Sequence, residues 1–227
     1  MRGTHGFSTD QPRRRRITFF ACGAAGVVIA NNLGPVLASM TGFDFFRSIT
    51  ISFVLASTIV YYVTSRVLWK FNPISKLIGS PPDLNGQWEG YLYTDTEEYD
   101  PEAVVSTNQL GLDLVQMNAS MSIRQSWDRI LVSFEGPNST SKSVGATILV
   151  DEGGTPTLTY NYENPGAALN EELGQHAGTT TLEYDSDAET LEGTYYTGPN
   201  RENYGLIKLE RTGDRPNRWI SMIRSRI

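Results

Sequence analysis

Cysteine and histidine are almost absent from this chain. Its 227 residues include one cysteine, Cys22, and two histidines, His5 and His176. One cysteine excludes an intramolecular disulfide framework, and it also excludes the thiolate clusters that hold zinc or iron–sulfur groups. Because so few residues can supply thiolate or imidazole ligands, and no metal-ligand spacing occurs, the sequence predicts no metal centre and no resident cofactor.

The usual catalytic arrangements are missing as well. The sequence contains no serine–histidine–acid pattern, no glycine-rich phosphate loop and no metal-ligand spacing. No group of residues is therefore available for nucleophilic, phosphoryl-transfer or metal-assisted chemistry. We predict a protein that is not an enzyme and that acts by binding or by anchoring.

Positive charge is scarce in the larger, C-terminal part of the chain. Residues 80–227 contain ten Lys and Arg against 23 Asp and Glu, a balance of −13, whereas residues 1–79 contain nine against two, a balance of +7. An acidic domain lacks the basic surface that DNA and RNA polymers require, so we predict no polymeric nucleic-acid partner. A small anionic ligand is compatible with this balance, because a few well-placed cations suffice to hold it.

Long apolar runs occur only in the first third of the chain. Residues 1–16 are polar and basic, and we expect them to be disordered. Residues 17–70 contain two apolar runs, 17–40 and 49–69, and a membrane-spanning helix needs about 20 residues. We therefore predict two transmembrane helices in 17–70, which a linker at 71–83 joins to the rest of the chain.

The charges that flank the two runs predict their orientation. Four arginines at 13–16 precede the first run, and Lys70 and Lys76 follow the second. The only charged residues in the turn between the runs are Asp44 and Arg47. Because positive residues stay in the cytoplasm, we predict a multi-pass protein of the cell inner membrane with both termini cytoplasmic. The alternative is a twin-arginine export signal, which would be cleaved and would export the C-terminal domain.

Short alternating segments fill residues 84–211. In the first of them Trp88, Gly90 and Leu92 share one face, which is the period-two pattern of a half-buried strand. Turn residues separate the segments, and the absence of a β–α–β rhythm predicts an antiparallel sheet. The predicted strands are 86–94, 111–123, 128–135, 142–151, 156–163, 178–185, 190–197 and 204–211.

Eight antiparallel strands favour a closed barrel, because closure removes the exposed sheet edges and leaves room for one small ligand. We predict an all-β, eight-stranded antiparallel barrel at 84–211, lipocalin-like in outline, and a basic C-terminal tail at 212–227. The Gly86-x-Trp88 pattern resembles the start of lipocalin-type barrels, where the tryptophan caps the bottom. This outline leaves two alternatives open, namely a membrane-tethered binding protein for a small apolar ligand and an interaction or envelope protein without a ligand.

The later strands are rich in tyrosine and in neutral polar residues. Tyr160 and Tyr162 offer rings on which a nucleobase can stack. His176 and Arg201 offer groups that bind phosphate. Each residue also has a structural interpretation, since the tyrosines can serve packing, His176 can cap its strand, and Arg201 can be solvated in a turn.

An ordered set of motifs behind the two apolar runs resembles one known family. The motifs are L-N-G-x-W-x-G at 84–90, S-K-S at 141–143, Y-x-Y-x-N-P at 160–165, H-x-G-T at 176–179, L-x-G-x-Y-Y-T-G at 191–198, Arg201, and G-L-I-K-L at 205–209. They resemble the two-transmembrane, β-strand-rich effectors of bacterial cyclic-oligonucleotide antiphage signalling (CBASS). The resemblance extends from the apolar runs to Arg211.

The resemblance implies a function for the whole chain. A cytoplasmic eight-stranded barrel would bind a cyclic di- or oligonucleotide second messenger made by a partner nucleotidyltransferase. Binding would drive homo-oligomerisation and disruption of the membrane lipid, which kills the infected cell. For the ligand pocket we predict Ser143, Tyr160, Tyr162, His176, Thr179, Tyr195 and Arg201.

Overall fold

The structure, a computed structural model, describes residues 3–11, 13–48, 51–95, 105–107, 113–137, 140–150, 154–164, 176–198 and 203–213. The chain divides into two compact units. One unit is Gln11–Pro81, which is helical, and the other combines Met1–Asp10 with Pro82–Ile227 and is built from strands.

Two packed helices dominate the helical unit. Helix α1 spans Arg14–Thr41 and α2 spans Phe53–Arg66, and a short α3 follows at Asn72–Leu77. A Cβ atom placed on Gly26 of α1 would lie 2.1 Å from the Ser57 Oγ of α2. The two helices can therefore approach this closely only because glycine occupies that position, as in the small-residue interfaces of membrane helices.

The helices differ in whether they can cross a bilayer. Helix α1 has 28 residues and is apolar enough to do so, and large side chains such as Phe20 and Met40 are 80% and 79% exposed. Helix α2 has 14 residues, so its length is about 21 Å, which is less than the roughly 30 Å of hydrocarbon in a bilayer. The predicted 49–69 span is not one helix, because the chain leaves helical geometry at Val67. Among the described residues, only α1 has spanning length.

In the described part of the second unit there are eleven strands, namely β1 His5–Gly6, β2 Ser8–Thr9, β3 Gly86–Asp95, β4 Val105–Thr107, β5 Asp113–Gln125, β6 Arg129–Glu135, β7 Thr140–Leu149, β8 Thr157–Asn164, β9 His176–Asp185, β10 Thr190–Thr197 and β11 Tyr204–Arg211. Strands β6, β5, β3, β11, β10, β9, β8 and β7 pair in that order and antiparallel. A pairing between β6 and β7 closes the ring. The predicted eight-stranded antiparallel barrel is confirmed.

Inward-facing glycines bend the barrel wall. A Cβ atom on Gly90, Gly193 or Gly205 would lie 2.2, 2.0 or 1.9 Å from a carbonyl oxygen of the neighbouring strand. A side chain at any of these positions would clash with that oxygen. Each glycine therefore allows a close approach of two neighbouring backbones, where the sheet bends. Curvature of this kind allows eight strands to close into a barrel.

Trp88 lies at the floor of the barrel and is fully buried. Its indole Nε1–H donates to the Leu84 carbonyl over 3.1 Å, and the Arg211 guanidinium lies 4.1 Å above its ring centroid. The same guanidinium donates to the Asp83 carbonyl over 3.0 Å. Trp88 is thus a core residue, as the sequence pattern indicated.

The N-terminal residues do not follow the expectation of disorder. Strand β1 pairs with β6, β2 pairs with β7, and Phe7 between them is 3% exposed within the barrel core. The polar composition of residues 1–16 suggested a segment with nothing to bury. Phe7 nevertheless packs in the barrel core, and two open strand edges pair with β1 and β2.

Candidate ligand cavity

A cavity of about 80 Å³ lies inside the barrel, at the end opposite Trp88. Apolar, hydroxyl, amide and imidazole side chains line it together. They are Leu92, Thr94, Phe134, Ser141, Tyr160, Tyr162, Asn164, His176, Thr180, Tyr195, Thr197, Asn203 and Ile207. All but Asn203 belong to strands, and inward-facing positions alternate along the strands, so the barrel topology brings these distant residues together.

Two tyrosines of β8 form one wall. Tyr160 and Tyr162 occupy successive inward positions, and their ring centroids are 6.3 Å apart. Burial raises the pKa of Tyr160 well above its usual range, and a hydrogen bond with Thr180 offsets part of that rise. The Tyr160 hydroxyl therefore stays protonated and neutral at physiological pH.

His176 extends the same wall to the mouth of the cavity. Its ring stands edge-on to Tyr162, with 6.4 Å between the ring centroids. Gly178, which pairs with Tyr162 in the β8–β9 register, makes room for the phenol. A Cβ atom there would lie 2.3 Å from the Tyr162 Oη.

Asn203 organises the opposite wall. Its side-chain Oδ1 accepts hydrogen bonds from Thr94 Oγ1 over 2.8 Å and from Tyr195 Oη over 3.4 Å. Its backbone N–H donates to Thr197 Oγ1 over 2.8 Å. One residue just before β11 thus connects β3 and β10, and sequence reasoning missed it because a lone asparagine in a turn is an ordinary feature.

Four of the predicted ligand residues line the cavity together, namely Tyr160, Tyr162, His176 and Tyr195. Thr179 faces outward, where its Oγ1 donates to Asn161 Oδ1 over 2.7 Å, and Thr180 next to it faces the cavity. Because side chains alternate along a strand, a difference of one residue moves a side chain to the other face.

Ser143 is buried but takes part in a different set of contacts. Its Oγ accepts the Val132 N–H over 3.0 Å and hydrogen-bonds His5 Nε2 over 2.7 Å. Ser141, two residues earlier on the same face, lines the cavity instead. Arg201 and the basic tail beyond Gly213 lie outside the described residues.

The described lining contains no Lys, Arg, Asp or Glu. Neutral hydroxyl and amide groups next to aromatic rings suit a group that is flat and rich in hydrogen-bonding atoms, such as a nucleobase. The volume is well below the roughly 300 Å³ at which ligand pockets usually begin. A ligand much larger than a few water molecules can therefore enter completely only if the barrel widens at this end.

A larger depression on the outside of the barrel is a poor site for an anion. It has a volume of about 1190 Å³, is open to solvent, and is lined in part by Glu89, Glu135 and Glu210. Lys208 in its lining is already paired with Glu192, with 2.7 Å between Nζ and Oε1. Like charges repel an anionic ligand there, so the inner cavity is the better candidate.

Comparisons with known proteins identify the domain that contains the cavity. The sequence model of the Cap15 cyclic dinucleotide receptor domain matches residues 80–211, which contain strands β3–β11 and the whole cavity. CD-NTase-associated protein 15 from Yersinia aleksiciae is 28% identical over 152 residues. That match covers 67% of this chain and 65% of the relative's length. The resemblance to the cyclic-oligonucleotide effectors is thereby confirmed.

Proposed function

Because this chain belongs to the Cap15 cyclic dinucleotide receptor family, we propose that its barrel binds a cyclic di- or oligonucleotide as an effector of bacterial antiphage defence. The observation that carries the proposal is the inner cavity. Its tyrosines, hydroxyls and amides lie within the residues that match the receptor domain. The ligand would be made by a partner nucleotidyltransferase, and the barrel would bind it without chemical change.

Tyrosine rings and neutral polar groups would recognise different parts of this ligand. A base that enters between β8 and β10 would meet Tyr160, Tyr162 and Tyr195, and aromatic stacking is worth about 1–3 kcal/mol per base. Asn164, Thr180 and Asn203 offer donors and acceptors for base edges or ribose hydroxyls. His176 at the mouth, together with Arg201, would contact the phosphates.

The helical unit would carry the response at the membrane. Helix α1 has spanning length and exposes large apolar side chains, and we propose that α2 with its flanking residues completes a hairpin with both termini cytoplasmic. Asn31 and Asn32 lie in the apolar run of α1, where amide side chains favour contact with other helices over contact with lipid. Ligand binding would promote homo-oligomerisation through such groups, and the assembly would disrupt the inner membrane and kill the infected cell.

A membrane-tethered carrier of a small apolar ligand is the second candidate. The tryptophan-capped floor of the barrel favours it, because it agrees with a lipocalin-like outline. The cavity lining disfavours it, because an apolar ligand would leave the hydroxyls, amides and imidazole without partners.

Two adjacent threonines provide the test. Thr180→Val removes a hydroxyl that faces the cavity, and Thr179→Val removes one that faces outward. With the full-length protein in nanodiscs and a panel of cyclic dinucleotides and trinucleotides, we expect calorimetry to show weaker binding for Thr180→Val by about 0.5–1.5 kcal/mol. Thr179→Val, the matched control, should bind like the unmodified protein. Heat from fatty acids or retinoids but from none of the cyclic nucleotides would instead establish the carrier function.

A further inference from the structure

Residues 4–10, which we call the strap, occupy a slot in the barrel wall. Within the strap, β1 pairs antiparallel with β6, and β2 pairs parallel with β7. Phe7 points into the core between the two pairings and is 3% exposed. The strap therefore fills a gap between β6 and β7 that these strands do not close themselves.

Side-chain hydrogen bonds hold the strap at both ends. His5 Nε2 lies 2.7 Å from Ser143 Oγ, and the Asp10 carboxylate accepts the Val150 N–H with both oxygens at 3.0 Å. On the outer surface, Ser8 Oγ lies 2.7 Å from Thr147 Oγ1. These three contacts on the barrel side come from β7 or the residue after it. The Arg129 guanidinium of β6 donates to Thr4 Oγ1 over 3.2 Å and to the Thr4 carbonyl, so the strap is attached to both strands.

The slot coincides with the shortest pairing in the barrel. Strands β6 and β7 pair only between residues 133–135 and 140–142. By comparison, β3 pairs with β5 along all ten of its residues, Gly86–Asp95. A register shift at Ser143/Gly145 accompanies the separation of β7 from β6. Among the described residues, this one of the eight joints between barrel strands has the fewest paired positions.

The same short joint forms part of the cavity wall. Phe134 and Ser141 face each other across β6 and β7, and both line the cavity. Ser143, two residues along β7, holds His5 of the strap. A ligand that exceeds the cavity of about 80 Å³ can enter completely only by displacing part of the wall, and this joint has the fewest paired residues in the described barrel.

We propose that the strap is a latch between the ligand cavity and the membrane helices. Filling of the cavity parts β6 from β7, removes the binding place of the strap and releases it. Residues 11–13 connect the strap directly to α1, so its release frees the N-terminal end of that helix to move and assemble. The inference rests on the proposed function and adds the element through which ligand binding is transmitted.

A disulfide across the latch tests it. In a Cys22→Ser background, Ser8→Cys with Thr147→Cys places two thiols where the native oxygens are 2.7 Å apart. The full-length protein is reconstituted into dye-loaded liposomes and exposed to the cyclic dinucleotide selected by calorimetry. We expect the oxidised form to bind that nucleotide more weakly and, even when saturated, to lose nucleotide-induced leakage, because a fixed strap opposes the parting of β6 from β7. We expect reduction to restore both the affinity and the leakage.

A second disulfide serves as the matched control. Thr159→Cys with Thr181→Cys joins β8 to β9 at a native oxygen separation of 3.2 Å, in a joint that the latch does not use. Leakage from this variant should be the same after oxidation and reduction. Equal leakage from the oxidised and reduced strap disulfide would overturn the latch.

The two proposals fail in distinguishable ways. An unmodified protein that binds no cyclic nucleotide would contradict the proposed function. An unmodified protein that binds the nucleotide and causes dye leakage, together with a locked strap that also allows leakage, would contradict only the latch.

As a further variant, Phe7→Ala weakens the anchor of the strap, and we expect it to cause leakage at lower nucleotide concentration than the unmodified protein. Leakage at unchanged or higher nucleotide concentration, from a Phe7→Ala protein that still binds the nucleotide, would count against the latch.

Discussion

The two ends of the barrel are built differently. At the floor, Trp88 is fully buried beneath the Arg211 guanidinium. The Asn85 side chain accepts the Gln125 backbone N–H over 2.6 Å and donates to the Gln125 carbonyl over 3.0 Å. At the other end, hydroxyls and an imidazole surround a space of about 80 Å³. Close packing at the floor stabilises the fold, and incomplete packing at the cavity leaves room for a ligand.

This contrast also agrees with how each end is connected. Residues 82–85, which lead from the helical unit into β3, are bound at the floor, where Gln125 receives the Leu84 N–H over 2.8 Å and donates to the Pro82 carbonyl over 3.0 Å. The strap is the other covalent link to the helices. One link is tightly fixed and the other lies at the shortest strand joint, so a signal from the cavity would pass through the strap.

Removal of the floor tryptophan should have the largest effect. Trp88→Ala truncates a fully buried tryptophan of the floor, and such truncations cost about 3–5 kcal/mol of folding stability. We expect chemical unfolding of the barrel to shift by that amount, with loss of nucleotide binding as a consequence of unfolding. Tyr162→Ala at the cavity should lower stability less. Equal losses from the two variants would abolish the distinction between the ends.

The Arg211 guanidinium above Trp88 should contribute less to folding stability than Trp88 does. The Arg211 side chain is 4% exposed and donates to two backbone carbonyls, and hydrogen bonds of charged groups contribute about 1.5–3 kcal/mol. We expect Arg211→Met to lower unfolding stability by about that much. Lys208→Met, the control on the same strand, removes a half-exposed ion pair with Glu192 and should cost about 0–1 kcal/mol. A cost for Lys208→Met as large as that for Arg211→Met would show that charge alone matters.

The smallest effect should come from ionisation of the Tyr160 hydroxyl in the cavity wall. Burial raises the pKa of Tyr160 in the folded state, whereas an unfolded tyrosine ionises near pH 10. Above about pH 10 the unfolded state loses this proton and the folded state retains it, so stability falls as the pH rises, by about 1 kcal/mol near pH 11. Tyr160→Phe should reduce that alkaline loss in urea unfolding measured between neutral and alkaline pH. An identical pH dependence in both proteins would place the Tyr160 hydroxyl in contact with water.

Local patterns predicted the strands well because alternation is a property of adjacent residues. The predicted 190–197 and 204–211 strands coincide with β10 and β11, and the boundaries of the others differ by up to two residues. Four cavity residues were also predicted, since tyrosine and histidine at inward positions stand out among threonines. The inward face of Thr180 was missed, because a period of two cannot reveal which of two adjacent threonines faces the core.

The sequence by itself determined the acidity of the β domain, its eight antiparallel strands and the apolar character of α1, because each depends on composition or on short-range periodicity. It favoured a closed barrel, but the pairing of β6 with β7 that closes the ring is a long-range contact. Only the tertiary structure decided which side chains meet at the cavity, that Asn203 joins three strands, and that residues 4–10 fill the β6–β7 slot. These features depend on contacts between residues that are far apart in the chain, such as His5 and Ser143. No local pattern specifies such contacts, since they form only after the barrel has closed and left two strand edges and a pocket for Phe7.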